Sequence, residues 1–445
     1  MSLNKKGINP DDYEILVKES DKDSKIIIEI LEIVAQFIKD RELILYGGEA
    51  IDRLMRLQGS QLYKDHQIPD YDFFSKDSVN DAYDLTEILR NKGYHPTDAI
   101  VARHMQTMRV RYNFNYVADI SYIPENVYEK MKSMAKNYNG MLIISPYVQF
   151  IDQHLSLSKP FSFFPNENMY GRWKKDLTRY NMLYNKYPIE IKDKNKNSIP
   201  KFKKDKIHLS INFVNNNNLV IHGFISYAKL YQIFIKIANK TKVPYKKNLV
   251  IPLDFSVHNG NMYAECPKSF LPCVLSNRPL DVIKKFPEDS LMIYRSYLEF
   301  RPLLYKFGGI DMFDVSLDPI SINSLSVDGK LLKFSCVQYL LLYFLYYYLF
   351  ENQEICKYFY LSLVEMINTM EKILDRDLFV ISPFCLSTNN YGDNFHDERY
   401  YVQQNIDITG ESPLPEVYFE NNPRPDNYNY DNHIFRHDGT PIQQN

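Results

Sequence analysis

Apolar residues recur every three or four positions along SKIIIEILEIVAQFIKD, which predicts an amphipathic helix over 22–40 opened by Asp or Ser caps. The period then changes. ELILYGG is a short apolar run that stops in Gly47-Gly48, a strand followed by a tight turn, and EAIDRLMRL returns to helical spacing. IPDYDFFS (68–75) reads as a strand carrying two aspartates one residue apart. DAYDLTEILRNKG predicts a helix closed by Gly93, strands follow at DAIVARH, QTMRVRYN and YVADISYI, and a helix runs from Pro124 to about Lys136. These elements make an α/β module with a small mixed sheet.

Residues 145–185 predict helix, and KYPIEIKDKNKNSIPKFKKDK (186–206) then carries eight lysines and no apolar period. That stretch reads as an exposed linker or as a loop that contacts RNA phosphates. Beyond it the first module is echoed: LYGGEAIDRL by IHGFISYAKL (221–230), IPDYDFFS by IPLDFSVH (251–258), and VADISYI by MFDVSLD (312–318). The echo puts His222-Gly223 in place of the glycine pair, Pro252 in place of Asp70, Asp254 in place of Asp72 and Asp314 in place of Asp119. A duplicated fold whose second copy has lost its first carboxylate is expected. Residues 321–380 predict helix around VQYLLLYFLYYYLF (337–350), which is too short and too Tyr-rich to span a bilayer, so no membrane partner is expected. The expected organisation is a catalytic domain over 1–185, a linker over 186–206, a non-catalytic domain over 207–385, and an Asn/Pro-rich tail over 386–445 with ten acids against three bases.

At 445 residues the chain exceeds one ordinary domain, and 45% hydrophobic with 24% charged residues are globular values. The net charge of −2 argues neither for nor against a nucleic-acid partner. The five cysteines form no C-x-x-C pair and have no His at zinc-finger spacing, which fits a reducing compartment; MSLNKKGINPDDYE has no apolar core, so no secretory signal is expected.

Asp70 and Asp72, two apart on a strand, point the same way and repel unless a cation lies between them. Alone, a D-x-D pair reads as an exposed edge, Gly47-Gly48 as a turn, and Asp119 as a hydrogen-bonded strand residue. Together and in this order they suit nucleotidyl transfer. Gly47 and Gly48 ahead of a helix let backbone N–H groups approach a triphosphate. Asp70, Asp72 and Asp119 would hold Mg²⁺ or Mn²⁺ at an all-oxygen site and serve in-line displacement at the α-phosphate. In GRWKKDLTRY, Arg172, Lys175 and Arg179 share one helical face beside Trp173, either a solvated basic face over a core Trp or a grip on ATP phosphates or RNA.

On LYGGEAID, PDYDFFS, VADISYI, GRWKKDLTRY and the doubled layout, the chain resembles the nucleotidyltransferase superfamily of DNA polymerase β. Within it, the chain is similar to the poly(A) polymerase catalytic subunits of large DNA viruses of the mimivirus type, over about residues 20–385. The resemblance implies two subdomains of nucleotidyltransferase topology, two-metal catalysis through Asp70, Asp72 and Asp119, ATP as donor and an mRNA 3′ end as acceptor, extended without a template. It further implies self-association into a homodimer where no separate processivity subunit serves, and work in the host cytoplasm at the viral factory, with packaging in the virion. Glu49 after Gly48, and the long gap to Asp70, depart from the pattern. Another RNA or tRNA-end nucleotidyltransferase, and a non-catalytic RNA-binding scaffold of the same fold, stay open.

Overall fold

The computed structural model describes residues 24–64, 70–102, 107–158, 169–190, 199–285, 290–293, 303–315, 322–374 and 417–418. The residues before Ser24, the middle of the Lys-rich stretch (191–198) and the acidic tail apart from 417–418 lie outside them. The chain divides into two units, residues 1–149 with 412–445, and residues 150–411.

The first unit opens with α1 (Ser24–Asp40), whose Ile27, Ile30, Leu31, Val34 and Phe37 are buried, as the periodicity requires. Fully burying each such side chain contributes about 1.5–3 kcal/mol. Then come β1 (Ile44–Tyr46), α2 (Gly47–Arg56), β2 (Tyr71–Ser75), α3 (Ser78–Asn91), β3 (Thr97–Val101), β4 (Thr107–Tyr112) and β5 (Asn115–Tyr122). After α4 (Glu125–Met134), β6 (Lys136–Tyr138) and β7 (Met141–Ile143) form a hairpin on Asn139-Gly140, and α5 spans Pro146–Ser158. The division between the units falls within α5.

The second unit continues with α6 (Met169–Lys186), β8 (Lys204–Ser210), α7 (Ile211–Asn216), β9 (Val220–His222) and α8 (Gly223–Thr241). Lys204 and Lys206 are therefore strand residues, and Lys204 is paired with Glu265 at 2.6 Å. Next are β10 (Phe255–His258), β11 (Asn261–Pro267), β12 (Cys273–Ser276), α9 (Pro279–Ile283), β13 (Ser290–Ile293), β14 (Leu303–Phe307) and β15 (Ile310–Asp314). Residues 322–335, expected to be helical, are instead a hairpin of β16 (Ile322–Val327) and β17 (Lys330–Ser335). Its turn is Asp328-Gly329, both at positive φ, a two-residue connection that matches strand twist. The helices expected after it are α10 (Val337–Leu349) and α11 (Glu354–Leu374), and no described helix is long and apolar enough to cross a membrane. Of the tail, β18 (Val417–Tyr418) is described; it pairs with β3 and covers what would be a bare sheet edge.

The two large sheets share one plan. The first is ordered β18-β3-β4-β5-β2-β1-β7-β6, the second β13-β14-β15-β12-β9-β17-β16. Leaving out β18, each strand of one has its counterpart in the other, with the same direction at every pairing compared. Thus β1/β2 and β9/β12 are antiparallel, whereas β2/β5 and β12/β15 are parallel. The helix entries match too: Tyr46 (φ −133°, ψ −173°) precedes α2 and His222 (φ −136°, ψ −178°) precedes α8. The duplication is real, but the expected alignment of its carboxylates is not. Asp254 precedes β10, which belongs to a separate three-stranded sheet, β10-β11-β8. The counterpart of β2 is β12, buried along its whole length, because the inserted β10–β11 hairpin delays the core strand.

Candidate active site

β1 ends at Tyr46 and α2 begins at once, so Gly47 must turn the chain; its φ is +74°. A Cβ there would stand 2.5 Å from Asp72 Oδ2, so only glycine lets the carboxylate lie against the turn. Gly47 N–H donates to Gln149 Oε1 of α5 at 3.2 Å, and Gly48 is buried in the first helical turn. Asp72 is the register partner of Tyr46 on one side and of Asp119 on the other. Asp70 stands just ahead of β2 rather than inside it, and is exposed. Gly47, Gly48, Asp72 and Asp119 are thus brought to neighbouring positions at one end of the β1–β2–β5 core, with Asp70 two residues before Asp72.

Asp119 is held by a residue the motif reading did not single out. On β4, Arg109 lies opposite Asp119 and donates from Nε to Oδ1 and from an Nη to Oδ2, each at 2.6 Å. This hydrogen bonding raises the Arg109 pKa above its ordinary value. The same guanidinium lies 4.0 Å from the Tyr116 ring centroid.

Two further pairs organise the ground between Gly48 and Asp70. Glu49, the acid that departs from the family pattern, is buried and bonded to Arg53 at 2.7 Å. Burial raises its pKa; Arg53 opposes that, and the charges of Asp52 and Asp70 add to it. Asp52 Oδ1 accepts from the backbone N–H of Leu62 at 2.7 Å and of Tyr63 at 2.8 Å, while Arg56 Nε donates to Asp52 Oδ2 at 2.5 Å. Leu62 and Tyr63 of the long insertion are therefore pinned to α2. Glu49/Arg53 and Asp52/Arg56 are both four residues apart, a signal the sequence does carry.

Among the described residues no three His, Cys, Asp or Glu side chains stand together as a group that could hold a metal ion. The donor chemistry fits a hard divalent cation nonetheless: Asp72 and Asp119 on adjoining positions, Asp70 two residues before Asp72 in the chain, and a glycine shaped around an Asp72 oxygen. Lys175 and Arg179, also expected to contact nucleotide, lie on α6 in the second unit; Arg179 is 3.7 Å from Asp176.

The second copy shows what the first has kept. His222 pairs with Cys273 and Cys273 with Asp311, so Cys273 occupies the register of Asp72 and Asp311 that of Asp119. Leu271, two residues before Cys273, replaces Asp70. A Cβ on Gly223 would meet Cys273 Cβ at 3.0 Å, the same close approach with no carboxylate. Lys306, opposite Asp311 and 3.9 Å from it, takes the place of Arg109. The architecture is retained and the D-x-D pair is gone.

A family model described as poly(A) polymerase catalytic subunit matches residues 32–163. A "Putative poly(A) polymerase catalytic subunit" of African swine fever virus (strain Badajoz 1971 Vero-adapted) is 32% identical over 459 residues, covering 96% of this chain and 93% of its own length. The Acanthamoeba polyphaga mimivirus protein of the same description is 27% identical over 218 residues, covering 48% of this chain and 36% of its own. The crystal structure of the Megavirus polyadenylate synthase superposes with a TM-score of 0.64 at 17% identity, covering 100% of this chain and 94% of that one, a likeness of fold.

Proposed function

The chain belongs to the poly(A) polymerase catalytic subunit family, and from that premise we propose that it adds AMP from ATP, without a template, to the 3′ end of viral mRNA. One observation carries the reading at the level of residues: Asp72 and Asp119 are register partners beside a glycine whose missing side chain admits the Asp72 carboxylate. Backbone N–H groups at the start of α2, with the favourable end of its dipole, receive the triphosphate. Asp72 fixes the donor side and Asp119 the acceptor side, where its carboxylate accepts the proton of the attacking 3′-hydroxyl. Arg109 sets the orientation of Asp119 through its two-pronged bond. A divalent cation held by Asp70, Asp72 and Asp119, when bound, supplies charge neutralisation at the phosphates and a more acidic hydroxyl. Glu49 is compatible with nearby phosphate because Arg53 neutralises it.

The test is primer extension by the full chain on a labelled RNA, with Mg²⁺ or Mn²⁺ and each nucleoside triphosphate in a separate reaction. Extension with ATP far above the other three, lost in Asp72→Asn, is the expected result. Equal use of all four, or extension that depends on a template, overturns the assignment.

A further inference from the structure

β4 and β5 run well past Asp119 before they turn. Arg109 pairs with Asp119, then Arg111 with Tyr116, the register shifting between Val110 and Arg111. That bulge brings Tyr116, three residues from Asp119, to the side Asp119 faces, and the Arg109 guanidinium touches both. Arg111 lies 5.6 Å from the Phe114 ring centroid and is itself held by Asp98 at 2.8 and 2.7 Å. Both rings are exposed, Phe114 at 74% and Tyr116 at 56%.

Phe114 stands in an unusual place. The turn is Asn113-Phe114, with φ +45° and +66°, left-handed at both residues, where the second position ordinarily takes glycine. The second copy makes the corresponding turn with Gly308-Gly309, immediately after the Phe307–Ile310 pair, one pair beyond its Lys306–Asp311 position. The longer hairpin and its strained aromatic tip thus belong to the copy that carries the carboxylates.

We propose that this face of the β4–β5 hairpin is a stacking track for the last bases of a single-stranded RNA, leading its 3′ end to Asp119. Phe114 and Tyr116 offer their exposed faces to successive bases, and Arg111 and Arg109 brace them. Because Asp98 and Asp119 pair both guanidiniums, the track contributes stacking rather than net charge. Sequence-tolerant stacking suits a strand whose own end becomes uniform. The proposal rests on the tailing function above.

The experiment titrates fluorescein-labelled oligo(A) RNA with the full chain in EDTA, without ATP, over a range of salt, for wild type and Phe114→Gly/Tyr116→Ala. Expected is a rise in dissociation constant of about tenfold or more, with an unchanged slope of log affinity against log salt. Phe114→Gly alone should keep or raise the thermal midpoint, since glycine accepts the left-handed turn. Unchanged RNA affinity overturns the track, as does a loss accompanied by a lower midpoint, which marks Phe114 as structural. Unaltered RNA binding with changed sedimentation makes the tip a protein contact and likewise overturns it. A wild type that fails to extend RNA with ATP sinks the tailing function instead, while a binding loss in the double variant would still uphold the track.

Discussion

Gly47 is the residue on which the site's geometry turns. Its left-handed backbone and the 2.5 Å approach of Asp72 Oδ2 to where a Cβ would lie make Gly47→Ala damaging twice over. Gly93 separates the two effects: its φ is +90°, yet a Cβ there would meet nothing within 4 Å. Both alanine variants should lose roughly 1 kcal/mol or more of stability from backbone strain. Only Gly47→Ala should also lose extension rate, by about a hundredfold, through displacement of Asp72. Urea midpoints and single-turnover extension measure the two losses separately; equal activity in both variants would remove the special place of Gly47. The glycine pair and the three aspartates were legible as types at a spacing. Arg109 was not, because its role depends on which residue of a neighbouring strand faces Asp119.

At the scale of the element, α2 carries a buried acid whose titration is coupled to folding. Burial raises the Glu49 pKa, so the folded chain keeps that proton to higher pH than the unfolded chain does. The stabilisation from Glu49 is complete below the ordinary glutamate range and drains away as pH rises through the raised value. Glu49→Gln should therefore flatten that part of the stability profile, read as urea midpoints from about pH 4 to 8. An undiminished slope would place its origin elsewhere. Turns account for the main misreading of elements. Asn139-Gly140, Asn259-Gly260 and Asp328-Gly329 each close a hairpin with both residues at positive φ, and each pair is visible in the sequence. In INSLSVDGKLLKFS the alternation around Asp328-Gly329 outweighs the helical pattern that follows it, so 322–335 are strands.

Across the molecule, the duplicated sheet supplies an internal comparison. Asp119 and Asp311 hold the same register position, opposite Arg109 and Lys306 respectively, but only the first has Asp72 beside it. Asp119→Asn should abolish extension, whereas Asp311→Asn should leave the rate within about twofold of wild type once folding is matched by circular dichroism. A large loss in a well-folded Asp311→Asn variant would assign the second copy a part in the chemistry.

Periodicity, the glycine pair and the acidic spacing by themselves marked out an α/β module and picked Gly47, Gly48, Asp70, Asp72 and Asp119 as its candidate site. Those signals are local: a helix face, a strand alternation and a turn are written in consecutive residues. The repeat was visible as well, from the likeness of IHGFISYAKL to LYGGEAIDRL, but His222-Gly223 corresponds to Tyr46-Gly47 and not to the glycine pair. Tertiary structure alone decided that Cys273, not Asp254, completes the match. Register is set by burial: the four residues of β12 are buried and fit the core, whereas the half-exposed residues around Phe255 go to an inserted hairpin, whatever their likeness to IPDYDFFS. Pairing between strands likewise decided that Arg109 holds Asp119 and that a bulge brings Tyr116 to the same face, since neither contact joins residues adjacent in the chain.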